Sequence, residues 1–443
     1  MRGKRISIGL RSALAIFTLT LLVTSTQAAS QERVLHSFGN GADGALPFAA
    51  LTIDAAGNLY STTAGGGTYN GGTVYGLTRV AARGWTEKVL YSFCPQSYCP
   101  DGASPLAGLI LDAAGNLYGT TWLGGAYGLG TVFELTPTAG GGWTETVLYS
   151  FGANGPFDAA FPYAGLIFDA AGNLYGTTYQ GGNFSAYCSD YGCGTVFELT
   201  PNGSGGWTET VLYSFCSQTN CTDGASPPAS LIFDAAGNLY GTTYAGGVYN
   251  LCYQNTGCGT VFEMTPTAAG GWTERVLHSF GSGTDGAGPY AGVISDAVGN
   301  LYGTTVEGGT YNYGTVFEMT PTPGGGWTEK VLHSFNNNGT DGLNAFTGLI
   351  LKAGSHLYGT TKYGGTYDDG TAFELKPSPN TAGGGWSEQV LHSFGSGTDG
   401  VNPWSSLIFD SAGNLYGTTE LGGTYYNCNG GTLTCGTVFE ITP

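Results

Sequence analysis

Charged side chains are scarce in this chain of 443 residues. They make up 10% of the sequence, against about 25% in an ordinary globular protein, and 13 basic residues stand beside 31 acidic ones. A net charge of −18 repels phosphate backbones and anionic lipids. We therefore expect no nucleic-acid partner and no anionic-membrane partner. Because no segment after the N-terminal one is apolar enough to cross a bilayer, we also expect no membrane insertion of the mature chain.

Catalytic motifs are missing as well. The sequence contains no Gly-x-Ser-x-Gly nucleophile motif and no phosphate-binding loop. Four of the five histidines share one repeat position with tyrosines, which indicates half-buried strand residues rather than bases. They are His36, His278, His333 and His392. The sequence assigns no catalytic residue, metal ligand or cofactor, and it favours a non-catalytic role while leaving enzymatic activity open.

Glycine and aromatic residues are abundant, with 79 glycines and 13% aromatic side chains. Glycine without a Gly-X-Y period indicates many tight turns rather than collagen, and the aromatic side chains supply material for a core. Both features favour an all-β fold.

Residues 1–29 have the pattern of a secretory signal peptide. A basic start precedes an apolar run at 13–23, and the small residues Ala28 and Ala29 follow. An uncleaved membrane anchor is the alternative, but the apolar run is short for a bilayer span. We expect a secreted or periplasmic protein.

Ten cysteines form five close pairs, an arrangement that favours local disulfides in an exported chain. A metal site is the competing interpretation, but no pair has two-residue spacing and no histidine lies near one. The expected pairs are Cys94 with Cys99, Cys188 with Cys193, Cys216 with Cys221, Cys252 with Cys258, and Cys428 with Cys435.

One phrase recurs seven times along the chain. Gly-Asn-Leu-Tyr places its asparagine at positions 58, 116, 173, 238, 300 and 414, and His356 occupies the equivalent position in the sixth copy. Each copy contains four short runs of β-branched and aromatic residues separated by turn residues. Repeated four-stranded units indicate the blades of a β-propeller, with a solenoid as the alternative.

The two ends of the repeat array distinguish these architectures. The array opens with a lone fourth run at 32–38 and closes on a third run at 436–443. The last unit lacks a fourth run of its own. If the opening run serves as its fourth run, each of the four types of run occurs seven times. This predicts a seven-bladed β-propeller over residues 30–443, closed by its N-terminal strand.

In such a propeller the strands of each blade run outward from the axis in chain order. The loops between second and third strands then share one face with the loops between blades. We call this the variable face, because it carries all cysteine pairs and most of the length variation. We expect function to reside there.

The phrases LIFDAAGNLYGTT, GTVFELTP and GGWTETVLYSF resemble the GloVer tandem repeat of exported bacterial proteins, and more loosely the propeller repeats of the NHL group. The resemblance covers essentially all of the chain after residue 29. It implies a propeller fold and an extracellular location, and it implies no particular activity.

An aspartate occurs at one loop position in every copy, just before the inner strand. We expect these carboxylates around the mouth of the central channel, where they could attract calcium. The alternative is a turn aspartate that hydrogen-bonds its own backbone. The seven are Asp43, Asp101, Asp158, Asp223, Asp285, Asp341 and Asp399.

Two sets of aromatic residues are candidate ligand contacts, because aromatic rings stack on sugars and anchor protein partners. One is a ring after each Gly-Gly pair, which could instead pack between blades: Tyr69, Tyr127, Phe184, Tyr249, Tyr311, Tyr367 and Tyr425. The other differs between copies and could carry specificity: Trp122, Tyr179 and Tyr244 after the Thr-Thr pairs, and Tyr290 and Trp404 before the inner strands.

The sequence therefore predicts an exported binding or structural module, with a carbohydrate or a protein surface as its ligand. The alternative is a carbohydrate-active hydrolase or lyase that uses the aspartates at the channel mouth. A surface adhesin is a further possibility. Fold alone does not name the ligand.

Overall fold

The structure of the chain is a computed structural model. It describes residues 30–443 except 81–83, 156, 186–187, 189–190, 250–251, 253–255, 379–384, 427 and 429–433. The predicted signal peptide lies outside the described residues. The described part is built from strands, with one short 3-10 turn at Thr219–Cys221. None of its elements is a helix of the length and hydropathy needed to cross a bilayer.

Each blade contains four strands. The inner strands are Thr52–Ile53, Ile110–Leu111, Ile167–Phe168, Ile232–Phe233, Ile294–Ser295, Ile350–Lys352 and Ile408–Phe409. The second strands are Leu59–Thr63, Leu117–Thr121, Leu174–Thr178, Leu239–Thr243, Leu301–Thr305, His356–Thr361 and Leu415–Gly422. The third strands are Thr73–Val80, Thr131–Pro137, Thr195–Pro201, Thr260–Pro266, Thr315–Thr322, Thr371–Ser378 and Thr437–Thr442. The outer strands are Gly84–Ser92, Trp143–Ser150, Trp207–Ser214, Trp272–Ser279, Gly326–Ser334, Gly385–Ser393 and Gln31–Ser37.

The strands pair antiparallel in chain order from the axis outward, as predicted. Blade 7 takes its outer strand from the start of the described chain, where Gln31 pairs with Thr442 and Ser37 with Thr437. The seven-bladed propeller and its closure are thus confirmed. Short two-residue pairs on the variable face, such as Ala159–Ala160 with Gln180–Gly181, extend some blades toward the loops.

The core lies between adjacent blades. At every interface a buried phenylalanine that follows the outer strand meets an aromatic ring of the next blade's third strand, as Phe93 meets Phe133 edge to face with 5.1 Å between ring centroids. Gly119 faces the same ring, and a Cβ there would lie 2.7 Å from the Phe133 Cζ atom. This contact explains why six copies combine the glycine of Leu-Tyr-Gly with a phenylalanine on the third strand, whereas the first copy has Ser61 and Tyr75 there.

The second threonine of each Thr-Thr pair closes the loop between the second and third strands. Its hydroxyl lies 2.8–2.9 Å from the hydroxyl of the threonine that opens the third strand, as in Thr121 with Thr131 and Thr178 with Thr195. Because the base of the loop is fixed in this way, its length varies while the blade stays the same. The variable face is therefore free to carry different residues in each blade.

Candidate functional site

A cavity of about 340 Å³ occupies the propeller axis. Its wall is made of short segments with small side chains that precede the inner strands, among them Ala107-Gly108, Ala164-Gly165 and Ser405-Ser406. Small residues let seven chain segments approach the axis together. They leave a volume typical of small-ligand sites, which run from about 300 to 1,000 Å³.

Aromatic side chains from all seven blades converge at the variable-face mouth of this cavity. Each contacts at least one other member, with ring centroids 4.6–6.2 Å apart. We call this set the aromatic plug. Its members are Phe48, Trp122, Phe161, Tyr163, Tyr179, Tyr244, Tyr290, Phe346 and Trp404.

The plug spans the mouth rather than only lining its rim. Tyr163 of blade 3 and Tyr290 of blade 5 lie 5.5 Å apart although blade 4 separates them. Tyr290 also reaches Trp404 of blade 7, at 6.2 Å, and Phe346 stacks on Trp404 at 4.6 Å. All nine side chains are half-buried, so the plug keeps part of its surface exposed.

The backbone that presents the plug is unusual. The residue two positions before each of Phe48, Tyr163 and Trp404 has a positive φ, with values of 60° for Leu46, 56° for Phe161 and 55° for Asn402. Asparagine tolerates this conformation, whereas leucine and phenylalanine rarely adopt it. Ser104 and Ser226 have the same conformation, with φ values of 53° and 54°, although Leu106 and Pro228 stand at the plug position in their blades, so this conformation belongs to the repeat as a whole.

One side of the plug carries a polar pair. The Lys362 Nζ atom lies 3.1 Å from Glu420 Oε2 and 3.7 Å from the centre of the Trp404 ring. Both residues occupy the position after a Thr-Thr pair that Trp122, Tyr179 and Tyr244 occupy in other blades. A charged pair therefore lies beside the aromatic rings of the plug at blades 6 and 7.

Two tyrosines at the centre of the plug are fixed in their protonated form. Burial raises the pKa of the Tyr163 and Tyr290 phenols, and the proximity of the two rings adds to the effect for Tyr290. Both hydroxyl groups therefore remain neutral hydrogen-bond donors over the physiological pH range.

The structure brings together all five of the candidates that differ between copies: Trp122, Tyr179, Tyr244, Tyr290 and Trp404. Sequence reasoning missed Phe48, Phe161, Tyr163 and Phe346. A signal was present, because Phe48, Tyr163 and Phe346 occupy the same repeat position as Tyr290 and Trp404. Aligning that position across the copies would have identified these three residues.

The repeated ring of tyrosines, with Phe184 in the third copy, lies elsewhere on the variable face. Its seven members are 38–57% exposed, and none of them lines the cavity. Tyr127 covers Gly152 of its own blade, where a Cβ would lie 3.0 Å from the tyrosine Cβ. The ring remains accessible to a partner, but it is separate from the plug.

The seven aspartates do not surround the channel mouth, contrary to expectation. Six are buried residues, and the Asp285 side chain is 8% exposed. Each carboxylate contacts a tyrosine or histidine of the preceding outer strand, as Asp101 accepts from the Tyr91 hydroxyl at 2.9 Å and from the Cys94 amide at 3.0 Å. They lie between outer strands because the turn before the inner strand folds back there. The seven carboxylates therefore do not converge on the channel, and the calcium hypothesis depended on that convergence.

Sequence reasoning also missed seven glutamates on the outer strands. Each faces the aspartate of the neighbouring blade, and each has a buried Oε1 atom without a hydrogen-bond partner. They are Glu32, Glu87, Glu145, Glu209, Glu274, Glu329 and Glu388. The sequence did contain a signal for these glutamates, because six of them recur directly after Trp-Thr or Trp-Ser.

The environment of these glutamates disfavours their charged form. Burial, reinforced by the nearby aspartate, raises the pKa of Glu209 to about 8 and of the other six to about 7. At the Glu209 site, the Asn154 side chain donates to Glu209 Oε2 at 3.0 Å, and the Tyr149 hydroxyl donates to Asp158 at 3.0 Å. We call each such group of glutamate, aspartate and tyrosine or histidine a seam triad.

All five predicted disulfides are present on the variable face, and each joins the two cysteines of one pair. They are Cys94–Cys99, Cys188–Cys193, Cys216–Cys221, Cys252–Cys258 and Cys428–Cys435. The second cysteine is the more deeply buried one in several pairs, since Cys258 is 0% exposed and Cys435 is 1% exposed, whereas Cys99 is half-buried. The disulfides fasten loops whose bases are already held by the sheet.

The fold and the plug define a β-propeller whose blades are architecturally alike and chemically different at one end of the channel. The chain belongs to the Gloeobacter/Verrucomicrobia repeat family, whose repeat matches residues 15–254, 185–373 and 252–443. No curated protein matches the sequence. Among solved structures, the chain is similar to a putative oxidoreductase (glucose dehydrogenase) from Thermus thermophilus, with 13% identity over 93% of this chain and 100% of that one and a TM-score of 0.39.

Proposed function

We propose that this chain is an exported binding module that holds a carbohydrate against the aromatic plug. The main support for the proposal is the convergence of aromatic residues from all seven blades at one mouth of the cavity, at positions where the type of residue varies between copies. Architecture requires the same residue seven times, whereas these positions differ from blade to blade. Variation of this kind is expected of a surface that recognises one ligand.

The chemistry of the plug matches a sugar. A sugar ring presents apolar C–H faces that pack on aromatic rings and a hydroxyl edge that needs hydrogen-bond partners. The rings of Trp122, Tyr163 and Tyr179 supply the first, and Lys362 with Glu420 supplies the second. The five disulfides support the exported part of the proposal, because disulfides persist in oxidising compartments.

The test is a titration with four hexasaccharides: cellohexaose, laminarihexaose, xylohexaose and chitohexaose. Tryptophan fluorescence and hydrogen exchange measure the binding. We expect one of these series to protect the plug segments. Trp122→Ala and Tyr179→Ala should each weaken that binding at least about tenfold. Tyr127→Ala is the matched control, since it removes an exposed aromatic ring of the same face outside the plug.

Three results would redirect the proposal. Loss of binding in Tyr127→Ala alone would move the site to the tyrosine ring. Protection of the plug by a protein partner and by no oligosaccharide would change the ligand class. Cleavage of an oligosaccharide that disappears in Glu420→Gln would establish an enzyme, with different residues from the aspartates that the hydrolase hypothesis named.

A further inference from the structure

Two disulfides touch each other on blade 3. Cys188–Cys193 lies in the long loop between the second and third strands, and Cys216–Cys221 lies in the connection to blade 4. The Cys188 and Cys216 sulfur atoms are 3.5 Å apart, and all four sulfurs lie within 4.8 Å of one another. Within the part of the chain that the structure describes, no other three cysteines gather in this way.

This spacing is close to that of a tetrathiolate metal centre. With Zn–S bonds of about 2.3 Å, the sulfurs of a regular tetrahedron are about 3.8 Å apart. To reach this tetrahedron, sulfurs of different pairs would have to move closer by no more than about 1 Å. The two sulfurs of one pair would have to move apart by about 2 Å, which reduction of their bond permits. Both pairs have four intervening residues, which is longer than the two-residue spacing sought in the sequence but is the upper end of the two-to-four range of zinc-binding cysteine pairs. Cys193 and Cys221 are 0% and 2% exposed, whereas Cys188 and Cys216 are half-buried and leave a path for an ion.

The loops that carry the sulfurs are held independently of the disulfides. The hydroxyl groups of Thr178 and Thr195 lie 2.8 Å apart at the base of the first loop. In the second, the buried Asp223 carboxylate accepts from the Ser217 amide and from the Tyr213 hydroxyl, both at 2.8 Å. These anchors should therefore keep the four cysteines near one another after the S–S bonds are reduced, although the loop segments between the anchors become more mobile.

We propose that these four cysteines form a two-state site, which is a pair of disulfides when oxidised and a binding site for a soft divalent cation such as Zn²⁺ when reduced. Two molecules of an external dithiol supply the four electrons and four protons that convert both disulfides to thiols, and each dithiol becomes a disulfide. The cation then binds the four thiolates as their protons leave to solvent. The two states exclude each other, because the same sulfurs make either S–S or S–metal bonds.

The experiment uses the full mature chain, reduced with a dithiol and freed of it anaerobically. Co²⁺ serves as the spectroscopic probe, and Zn²⁺ then competes for the site. We expect one Co²⁺ per chain with sulfur-to-metal charge-transfer bands, displaced by Zn²⁺. The double variant that combines Cys216→Ser and Cys221→Ser should lose this signal. The double variant that combines Cys94→Ser and Cys99→Ser should keep it, since that pair has the same spacing and no second pair beside it.

Circular dichroism before metal addition establishes that the reduced chain retains its sheet. A folded, reduced chain without thiolate–metal bands would overturn the proposal. So would equal binding by the two double variants, or binding that occurs only after the sheet signal is lost.

Discussion

The hydroxyl group of Thr418 donates a hydrogen bond to the carbonyl oxygen of Ala49, 3.1 Å away, although 369 residues separate them in the chain. Thr418 lies on the second strand of blade 7, and Ala49 precedes the inner strand of blade 1. The equivalent bond joins Thr62 to Ala107 and Thr120 to Ala164, and it recurs at the four remaining interfaces. The interface that closes the ring therefore has the same internal geometry as the six formed within the chain.

This equivalence predicts equal losses of stability. Thr418→Val removes one of two donors from the buried Ala49 carbonyl, which the Ser61 hydroxyl still contacts at 3.2 Å, and should lower the free energy of unfolding by about 0.5–1.5 kcal/mol, the net contribution of one hydrogen bond. Thr62→Val should cost the same, and Thr265→Val, at an exposed strand position, should change little. Urea unfolding measures all three. A much smaller loss for Thr418→Val than for Thr62→Val would show that the closure is not formed in solution.

Removal of the closing strand tests the same interface more severely. A chain that begins after Phe38 would expose the third strand Thr437–Thr442 as an open edge and leave the core residue Tyr75 without its ring partner. We expect concentration-dependent association, because unpaired edges recruit other strands. Light scattering after size-exclusion chromatography measures it, and a monomer of unchanged stability would contradict the assigned closure.

The sequence was sufficient for the architecture because every blade repeats the same local rules. The strand order, the ring closure and the five disulfides follow from periodicity and spacing alone. The position of the aspartates did not follow, since it depends on how the turn before each inner strand folds back toward the outer strand. A residue such as Asp101 is near the axis in chain order but contacts Tyr91 on the outer strand.

The plug was predicted in part for a related reason. The sequence predicted Trp404 and Tyr290 as ligand contacts because they differ from their counterparts, and it did not predict Tyr163. Their convergence is a property of the closed ring, in which segments far apart in sequence meet at the axis. No local pattern shows that Tyr163 and Tyr290, two blades apart, are neighbours.

Reduction of the disulfides should loosen the variable face before the sheets. The disulfides fasten loops, while the strands are held by ladder hydrogen bonds and by interblade phenylalanines such as Phe280 and Phe335. Hydrogen exchange should therefore accelerate in the cysteine loops and stay slow in the second and third strands. Blades 5 and 6 have no cysteine and serve as the internal control. Early exchange in their strands would show that the disulfides support the whole ring.

Substitution of the seam aspartates should produce similar losses of stability in every blade. Asp223→Ala removes an acceptor of several hydrogen bonds from a fully buried position, and Asp341→Ala does so at a seam that contains a histidine. We expect a loss of about 1–3 kcal/mol in each case. Thermal unfolding of all seven single variants measures it. A variant that loses ligand binding or turnover at an unchanged melting temperature would instead identify that aspartate as functional.

The seam glutamates predict a pH dependence with a definite sign. Their pKa in the folded chain, about 7 or about 8, lies above the ordinary value of 4.5, so between these values the folded state holds protons that the unfolded state has released. This contribution to stability is fully present below about pH 4.5 and is lost as the pH rises through 7 to 8.

The aspartates of the hairpins between inner and second strands have the opposite effect on the pH dependence of stability. Burial is outweighed there by hydrogen bonds that lower the pKa of Asp54 and Asp410, so their contribution is lost only as the pH falls through that lowered range.

Stability should therefore be greater near pH 5 than near pH 8, and urea unfolding across this range measures the slope. Each proton held by the folded state contributes at most about 1.4 kcal/mol per pH unit. Glu209→Gln removes one such group and should flatten the slope between pH 6 and 8. It should also raise stability at pH 8, because a neutral amide replaces a buried charge beside Asp158. Thr265→Val, at an exposed position without a titratable group, is the control and should leave the slope unchanged. A slope of the opposite sign, or one that Glu209→Gln does not alter, would mean that these carboxyl groups are solvated in solution and that the blades meet less closely there than the structure shows.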